Sequence, residues 1–106
     1  MKNEVNERGM VGLIQEQALR LNGSHLYQVF IENDDFTPME FVMAVLEKFF
    51  YMSREKAARV MLEAHTLGKS VCGLYSRDIA ETKILEVVEY TRKHEHPLMC
   101  GMEAAL

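Results

Sequence analysis

The sequence predicts an α+β fold in which a small three-stranded antiparallel sheet packs against three helices, in the order β-α-α-β-α-β. Three observations predict it. Short apolar segments bounded by turn-forming residues occur at three places and are typical of strands. Longer segments whose apolar residues recur every three or four positions lie between them and are typical of amphipathic helices. Helices interleaved with single strands in a chain of 106 residues favour one layer of strands covered by helices.

The composition supports one compact domain and excludes several kinds of partner. Hydrophobic residues make up 48% of the chain and the formal net charge is −4, so a nucleic-acid-binding surface is not expected. No apolar stretch approaches the roughly 18 residues of a membrane span, and the first residues lack the apolar core of a signal peptide. We therefore expect a cytoplasmic monomer with no membrane partner. The two cysteines are far apart in sequence and are expected to be buried free thiols.

The first 24 residues differ in character from the rest. They are mostly polar and are interrupted by Gly9, Gly12 and Gly23. We interpret residues 1–24 as a flexible N-terminal extension, which is either a plain disordered terminus or a segment that docks on a partner. The folded core is then predicted to be a single domain over residues 25–106.

The first strand and the first helix are connected by a short polar loop. Tyr27, Val29 and Ile31 occupy alternate positions, which is the period of a strand, and the turn formers Asn33–Asp35 end it. A helix start follows, since Thr37 can cap, Pro38 fits the first helical position and Glu40 stands where a capping box needs a carboxylate. The apolar face of this helix consists of Val42, Val45, Leu46, Phe49 and Phe50.

The second helix and the second strand follow directly. Ser53 opens the helix, and Gly68 is placed to end it in a left-handed conformation, so the helix is predicted to end close to His65. The run Lys69–Tyr75 contains Gly73 among apolar residues and is predicted to be a buried or bulged strand. The apolar stripe of the helix consists of Ala57, Val60, Met61 and Ala64.

The third helix and the last strand complete the order. Ser76 can cap the helix, and Pro97 precedes a strand over Leu98–Glu103. One side of the helix is lined by Ala80, Ile84, Val87, Val88 and Thr91.

One group of polar residues can hold a ligand. Asn33 and Asp34 lie in the loop before the first helix, and His65 lies at the far end of the second. An amide oxygen, a carboxylate and a neutral imidazole nitrogen are all acceptors, which is the set that holds the three donors of a primary ammonium group. The alternative is that the acids are solvated turn residues and the nearby apolar side chains are ordinary core. If the two helices pack together, an apolar pocket beside the acceptors is lined by Met39, Val42, Met61 and Leu98.

Two other kinds of site receive less support. Asp34 and His65 can form an acid–base pair, but no nucleophile elbow, phosphate-binding glycine loop or metal motif accompanies them. The spacing of His94, His96 and Cys100 is not specific for zinc. We therefore expect no catalysis, no cofactor and no metal, and we keep a small acid–base enzyme as the alternative function.

A resemblance to a known family is carried by several short blocks in order. The blocks are Asn33–Val42, Met61–His65 with Gly68-Lys69, Cys72-Gly73, Ala80–Lys83 and His96–Leu98. Together they resemble ClpS, the adaptor that delivers N-end-rule substrates to the ClpA unfoldase of the ClpAP protease. The resemblance covers the chain from about Tyr27 to the C-terminus.

The resemblance implies a binding function and roles for particular residues. The ligand is a protein whose first residue is Leu, Phe, Tyr or Trp, an N-degron. Its α-amino group is held by Asn33, Asp34 and His65, and Met39 gates the pocket against β-branched first residues. The first side chain enters a pocket lined by Ile31, Thr37, Met39, Val42, Met61, Ala64 and Leu98, while Asp35 and Pro38 support the loop. The family often has valine at the position of Ala64, so the ranking among first residues is open.

The resemblance also implies a docking surface for a ClpA-type unfoldase, which includes Asp78 and Lys83. From sequence alone these two residues can equally be ordinary solvated helix charges. A further alternative is a generic fold module, because the core of the family is similar to the C-terminal domain of a ribosomal stalk protein and fold alone does not determine function.

Overall fold

The computed structural model describes residues 25–105, so the predicted extension over residues 1–24 lies outside the described residues. Within this range the chain forms three strands and three helices in the predicted order. Their bounds are β1 Leu26–Glu32, α1 Met39–Phe50, α2 Arg54–Leu67, β2 Lys69–Ser76, α3 Arg77–Lys93 and β3 Met99–Ala104. The predicted α+β class and element order are therefore confirmed.

The sheet has the strand order β2-β1-β3, and both pairings are antiparallel. On the β1–β2 side the register shifts after Val29, which pairs with Gly73, whereas the next residue pairs with Val71. Cys72 is therefore the extra residue of a bulge, as the sequence predicted for this strand. Because β1 lies in the centre, its C-terminal end delivers the loop that follows to the middle of the sheet edge.

The helices cover one face of the sheet and form the core with it. Val29 and Ile31 of β1 point into this layer and are 0% and 1% exposed. The apolar stripe predicted for α2 is buried throughout, whereas Phe49 of α1 and Ile84 of α3 are half-buried at the edge of the core. The core therefore consists of the predicted faces, with α1 packed against α2, α2 against β2, and α3 against β1.

The start of α1 differs from the prediction. The helix begins at Met39 with Pro38 in the capping position, and no side chain caps it. Thr37 does not act as the cap, because its hydroxyl donates to Asp34 Oδ2 at 2.8 Å. Glu40 makes no capping box either, since it forms an ion pair with Arg54 of α2 at 2.8 Å. The polar groups predicted to start the helix therefore organise the preceding loop and connect α1 to α2.

The ends of α2 follow the predicted chemistry with a shift of two residues. Ser53 caps the helix by accepting the Lys56 N–H at 3.2 Å. Gly68 ends it at φ +92°, a conformation that favours glycine. The helix reaches Leu67 rather than ending at His65, so His65 lies in its last turn.

Two smaller differences concern the C-terminal half. Ser76 stands in the capping position of α3, but its side chain makes no capping hydrogen bond. The last strand begins one residue later than predicted, at Met99, so the buried Leu98 precedes the strand. No helix among residues 25–105 is long and apolar enough to cross a membrane.

The two cysteines are free thiols on the strands that flank β1. Burial raises the pKa of the Cys72 thiol far above its ordinary value, and it raises the pKa of Cys100 to about 12. Both side chains therefore act as small apolar groups of the core.

Candidate functional site

A cavity of about 290 Å³ lies where the end of β1, the start of α1, the last turns of α2 and the entry to β3 meet. This convergence explains why residues far apart in sequence share one site. Every residue predicted for the amino-group site, the pocket and the loop support lines it. The full lining consists of Ile31, Glu32, Asn33, Asp34, Asp35, Thr37, Pro38, Met39, Val42, Met61, Ala64, His65 and Leu98.

The polar side of the cavity is organised by Asp34. Its Oδ1 accepts the backbone N–H of Phe36 at 2.8 Å and that of Thr37 at 2.7 Å. Its Oδ2 accepts the Thr37 hydroxyl at 2.8 Å. These are local side-chain to backbone bonds of the kind that shape an Asx turn. The loop is therefore held in one form by the same carboxylate that faces the cavity.

The environment of Asp34 keeps its carboxyl group ionised. Partial burial by itself raises the pKa of this group, but three other effects lower it: the hydrogen bond from the Thr37 hydroxyl, those from the N–H groups of Phe36 and Thr37, and the charge of nearby His96. The pKa of Asp34 is lowered as a result. His96 is held in place by its ring contact with Phe41, at 4.3 Å between ring centroids.

The two other predicted acceptors lie at the junction of the loop with α2. The Asn33 N–H donates to the Gly68 carbonyl at 2.9 Å, which joins the loop to the end of α2. His65 is exposed in the last turn of that helix. The left-handed Gly68 reverses the chain there, and its N–H donates to the Ala64 carbonyl at 2.8 Å. Asn33, Asp34 and His65 therefore line the same cavity although the first and last are 32 positions apart.

The apolar side of the cavity belongs to the core of the domain. Its lining residues Ile31, Val42, Met61, Ala64 and Leu98 are each at most 9% exposed. Met39 differs from them, because it is 59% exposed at the first position of α1. A flexible thioether at that place can move across the opening. The cavity thus has a rigid apolar floor and one adjustable side chain at its mouth.

Glu32 lines the cavity and was not predicted to do so. It is the last residue of β1, between Ile31 and Asn33, which were both assigned to the site. Its position between two site residues was the sequence feature that could have indicated a role in the cavity. Strand alternation argued against that role, because Glu32 lies on the face of the strand opposite to the core-facing Ile31.

The two residues assigned to docking lie away from the cavity, on α3. Asp78 is exposed in the first turn of the helix. Lys83 is half-buried, and its Nζ donates to the Phe49 carbonyl at the end of α1 at 2.7 Å. Lys83 is therefore not an ordinary solvated charge, because it satisfies a backbone carbonyl that the helix leaves without an internal partner.

The geometry gives little support to an acid–base mechanism. Among residues 25–105 no hydrogen bond joins Asp34 to His65, and the Asp34 oxygens accept from the loop. No group of three or more His, Cys, Asp or Glu side chains in the described part of the chain is arranged to hold a metal ion. His94 and His96 instead pack their rings against Phe41.

Fold and cavity together are those of a small binding module, in which hydrogen-bond acceptors and buried apolar side chains line one open cavity. Comparison with known proteins identifies the family. The family model for the ATP-dependent Clp protease adaptor protein ClpS matches residues 22–101. The chain therefore belongs to the ClpS family.

Curated relatives agree with this assignment. The ATP-dependent Clp protease adapter protein ClpS of Alkalilimnicola ehrlichii is 50% identical over 92 residues, which is 87% of each chain. The ClpS of Nitrosomonas eutropha is 48% identical over 98 residues, or 92% of this chain and 95% of the relative.

A solved structure is similar in fold as well as in sequence. It is that of Agrobacterium tumefaciens ClpS2 bound to L-phenylalaninamide, with a TM-score of 0.75 and 43% identity. The match covers 76% of this chain and 98% of that chain. The protein is thus an adaptor of a Clp protease.

Proposed function

We propose that this adaptor binds proteins whose N-terminal residue is bulky and hydrophobic, namely Leu, Phe, Tyr or Trp, and delivers them to a ClpA-type unfoldase for degradation. The observation that carries the proposal is the juxtaposition in one cavity of three acceptors with a buried apolar floor. A free N-terminal residue carries a cationic amino group and a side chain on the same carbon. Its amino group can therefore bind the acceptors while its side chain fills the apolar part of the cavity.

The acceptor half fits an α-ammonium group. An ammonium has three donors and no acceptor. Asp34 is kept ionised and uses three acceptor positions within the loop, so about one of the roughly four lone-pair sites of its carboxylate stays open to the ligand. Asn33 and His65 supply the other two acceptors. A carboxylate in this set selects a charged amine over a neutral amide.

The apolar half fits one side chain. Ligand pockets for small molecules usually measure about 300–1,000 Å³, so a cavity of about 290 Å³ suits a single residue rather than a longer segment. The structural neighbour supports this size, since L-phenylalaninamide carries one aromatic side chain and one free amino group. Burial of a Leu or Phe side chain contributes about 1.5–3 kcal/mol.

The affinity can be estimated from these parts. Charge-assisted hydrogen bonds contribute about 1.5–3 kcal/mol each, and the entropy of association opposes them. Two or three such bonds and one buried side chain therefore lead to a dissociation constant in the region of about 1 μM.

A titration with three labelled peptides tests the binding function. The peptides share one sequence and begin with free Leu, with N-acetylated Leu or with free Ala. We expect the Leu peptide to bind most tightly, the Ala peptide about thirtyfold more weakly, because it lacks roughly 2 kcal/mol of burial, and the acetylated peptide more weakly still. Equal binding of all three peptides, or no binding, contradicts the proposal.

The same experiment addresses catalysis. An adaptor without catalytic activity returns its ligand unchanged, so the Leu peptide is expected to be recovered intact after long incubation with the protein. Conversion of the peptide would instead support the acid–base enzyme. The curated relatives are adapter proteins, and the absence of a hydrogen bond between Asp34 and His65 among the described residues points the same way.

Delivery requires a second surface, which we assign to α3 around Asp78 and Lys83. This surface lies outside the cavity lining, so an adaptor can hold its ligand and its unfoldase at once. Co-sedimentation of the protein with a ClpA-type unfoldase, with and without Leu peptide, tests this. Binding to the unfoldase that is abolished by saturating peptide would show that the two surfaces overlap.

A further inference from the structure

The C-terminal end of α1 contains a residue in an unfavourable conformation. Tyr51 has φ +56° and ψ +33°, in the left-handed region. The Tyr51 N–H donates to the Leu46 carbonyl, and so does the Met52 N–H at 3.4 Å, so the helix ends at this left-handed residue. Glycine or asparagine usually occupies the left-handed position at a helix end, whereas a bulky side chain at positive φ is uncommon.

Burial does not explain the choice of tyrosine. Tyr51 is 73% exposed, so its ring adds little to the core. The side chain that anchors the turn is Met52, which is 6% exposed. The turn therefore requires a left-handed residue at position 51, but neither the turn geometry nor burial of the ring calls for tyrosine there. A bulky side chain kept in this unfavourable conformation is a signal of a functional constraint.

Lys83 fixes the position of the exposed ring. Its ammonium lies 4.7 Å from the centroid of the Tyr51 ring, within cation–π range, while donating to the Phe49 carbonyl at 2.7 Å. Lys83 is thus bound to the end of α1 on one side and to the ring on the other. The ring is held in a defined place on the surface.

The neighbourhood of the ring is that of an interface. Ile79 lies one helical turn before Lys83 on the same face of α3 and is 47% exposed. Asp78 is exposed beside it. Tyrosine is enriched among the residues that dominate binding energy at protein interfaces. Tyr51 also adjoins Lys83, which we assigned above to unfoldase docking.

We infer that Tyr51, presented by Lys83 at the end of α1, is the aromatic contact residue of the surface that docks on the unfoldase. This inference rests on the proposed delivery function and extends its docking surface from α3 to α1. The partner surface is expected to offer an apolar pocket for the ring, with charges that complement Asp78 and Lys83.

Calorimetric titration of the full-length protein with a ClpA-type unfoldase tests the inference with two variants. Tyr51→Asn keeps a residue that tolerates the left-handed conformation but removes the ring, so docking should weaken about tenfold or more. Its melting temperature should stay the same or rise. Tyr51→Phe keeps the ring and should dock within about twofold of the wild type.

A matched control and the peptide assay separate the possible causes. Met99→Ala removes a side chain of similar exposure, 58%, from the sheet and should leave docking unchanged. Affinity for the Leu peptide should be unchanged in all three variants. Wild-type docking by Tyr51→Asn overturns the inference, and so does a docking loss accompanied by a fall in melting temperature. If the wild type binds Leu peptide but not the unfoldase, the delivery function is wrong and this inference falls with it.

Discussion

The two ends of α1 carry the two proposed functions of the protein, and they are built in different ways. At the N-terminal end, Asp34 organises the preceding loop through bonds to residues two and three positions away. At the C-terminal end, Lys83 reaches across from α3 to the Phe49 carbonyl, 34 positions away in sequence. One end is a local structure, and the other depends on the packing of the domain.

Because they are built differently, the two ends of α1 can be disrupted independently. The helix spans twelve residues, which corresponds to about 18 Å at 1.5 Å per residue. A ligand of the cavity and a partner at the C-terminal end are therefore separated by about the length of this helix. Changes in the loop should affect ligand binding with little effect on folding, whereas loss of the Lys83 bond to Phe49 should affect both folding and docking.

The largest expected effect comes from the N-terminal end. Asp34→Ala removes the charge that we propose faces the ammonium group, and it removes the three hydrogen bonds that Asp34 accepts within the loop. We expect affinity for the Leu peptide to fall by about 2–3 kcal/mol, or roughly 30–150-fold. The urea midpoint should change little, because the lost hydrogen bonds all lie within the loop. Fluorescence anisotropy and urea unfolding measure the two quantities.

Two matched variants separate charge from loop geometry. Asp34→Asn keeps an oxygen that can accept the N–H groups of Phe36 and Thr37 but removes the charge, so it should retain the loop and still lose most of the affinity. Asp35→Ala removes the neighbouring exposed acid and should reduce the affinity for the Leu peptide less than Asp34→Ala does. Equal losses in Asp35→Ala and Asp34→Ala would mean that the general negative charge of the loop binds the amine.

The next effect concerns the C-terminal end. Lys83→Met keeps the length of the side chain and leaves the Phe49 carbonyl without its donor. We expect the free energy of unfolding to fall by about 1–2 kcal/mol, docking to weaken, and affinity for the Leu peptide to remain unchanged. Urea unfolding measures the first. Lys93→Met, at an exposed position in the last turn of α3, is the control and should lower the free energy of unfolding by less. An equal decrease in the two variants would show that the bond from Lys83 to the Phe49 carbonyl contributes nothing to stability.

The same contrast between the two ends explains what the sequence could predict. The strands, the helices and the bulge near Gly73 follow from periodicity and turn residues, and the cavity lining follows from a resemblance concentrated in the local block Asn33–Val42. The capping role of Thr37 was predicted wrongly, because a hydroxyl next to a carboxylate has two local partners and propensity alone does not choose between them. The bond from Lys83 to Phe49 could not be predicted, since it depends on how α3 packs against α1.

The pH dependence of binding sharpens the description of the N-terminal end. The lowered pKa of Asp34 means that its carboxylate takes up a proton only below the usual range, so it stays charged from pH 8 to pH 5.5. The α-amino group of the ligand also becomes more fully protonated towards pH 5.5. Affinity for the Leu peptide should therefore not fall between pH 8 and pH 5.5, and it should be lost only when the pH passes below the usual carboxyl range, as measured by anisotropy.

Three variants compare the imidazoles near this carboxylate at one pH. His65→Gln keeps an acceptor in the cavity, so affinity for the Leu peptide should be largely retained, whereas His65→Ala removes the acceptor and should weaken binding. His96 lies near Asp34 but packs against Phe41, so His96→Gln should change the affinity little. A larger loss in His96→Gln than in His65→Ala would show that His96 rather than His65 contacts the amine.

The smallest expected effect concerns the apolar floor, where Ala64 stands in place of the valine that is common in the family. Ala64 is 4% exposed and lines the cavity, so Ala64→Val adds two carbon atoms to the wall. The narrower pocket should accommodate large first side chains of the ligand less well than small ones. We expect the affinity for a Phe peptide to fall about threefold to tenfold relative to a Leu peptide, which corresponds to the burial of about one methylene group.

Ala58→Val, on the same helix but outside the cavity lining, controls for the lower helix propensity of valine. If Ala64→Val changes both peptides by the same factor, residue 64 acts on the loop or the helix rather than on the first side chain. A selective loss of Phe would instead show that the size of this one residue sets the preference among bulky first residues.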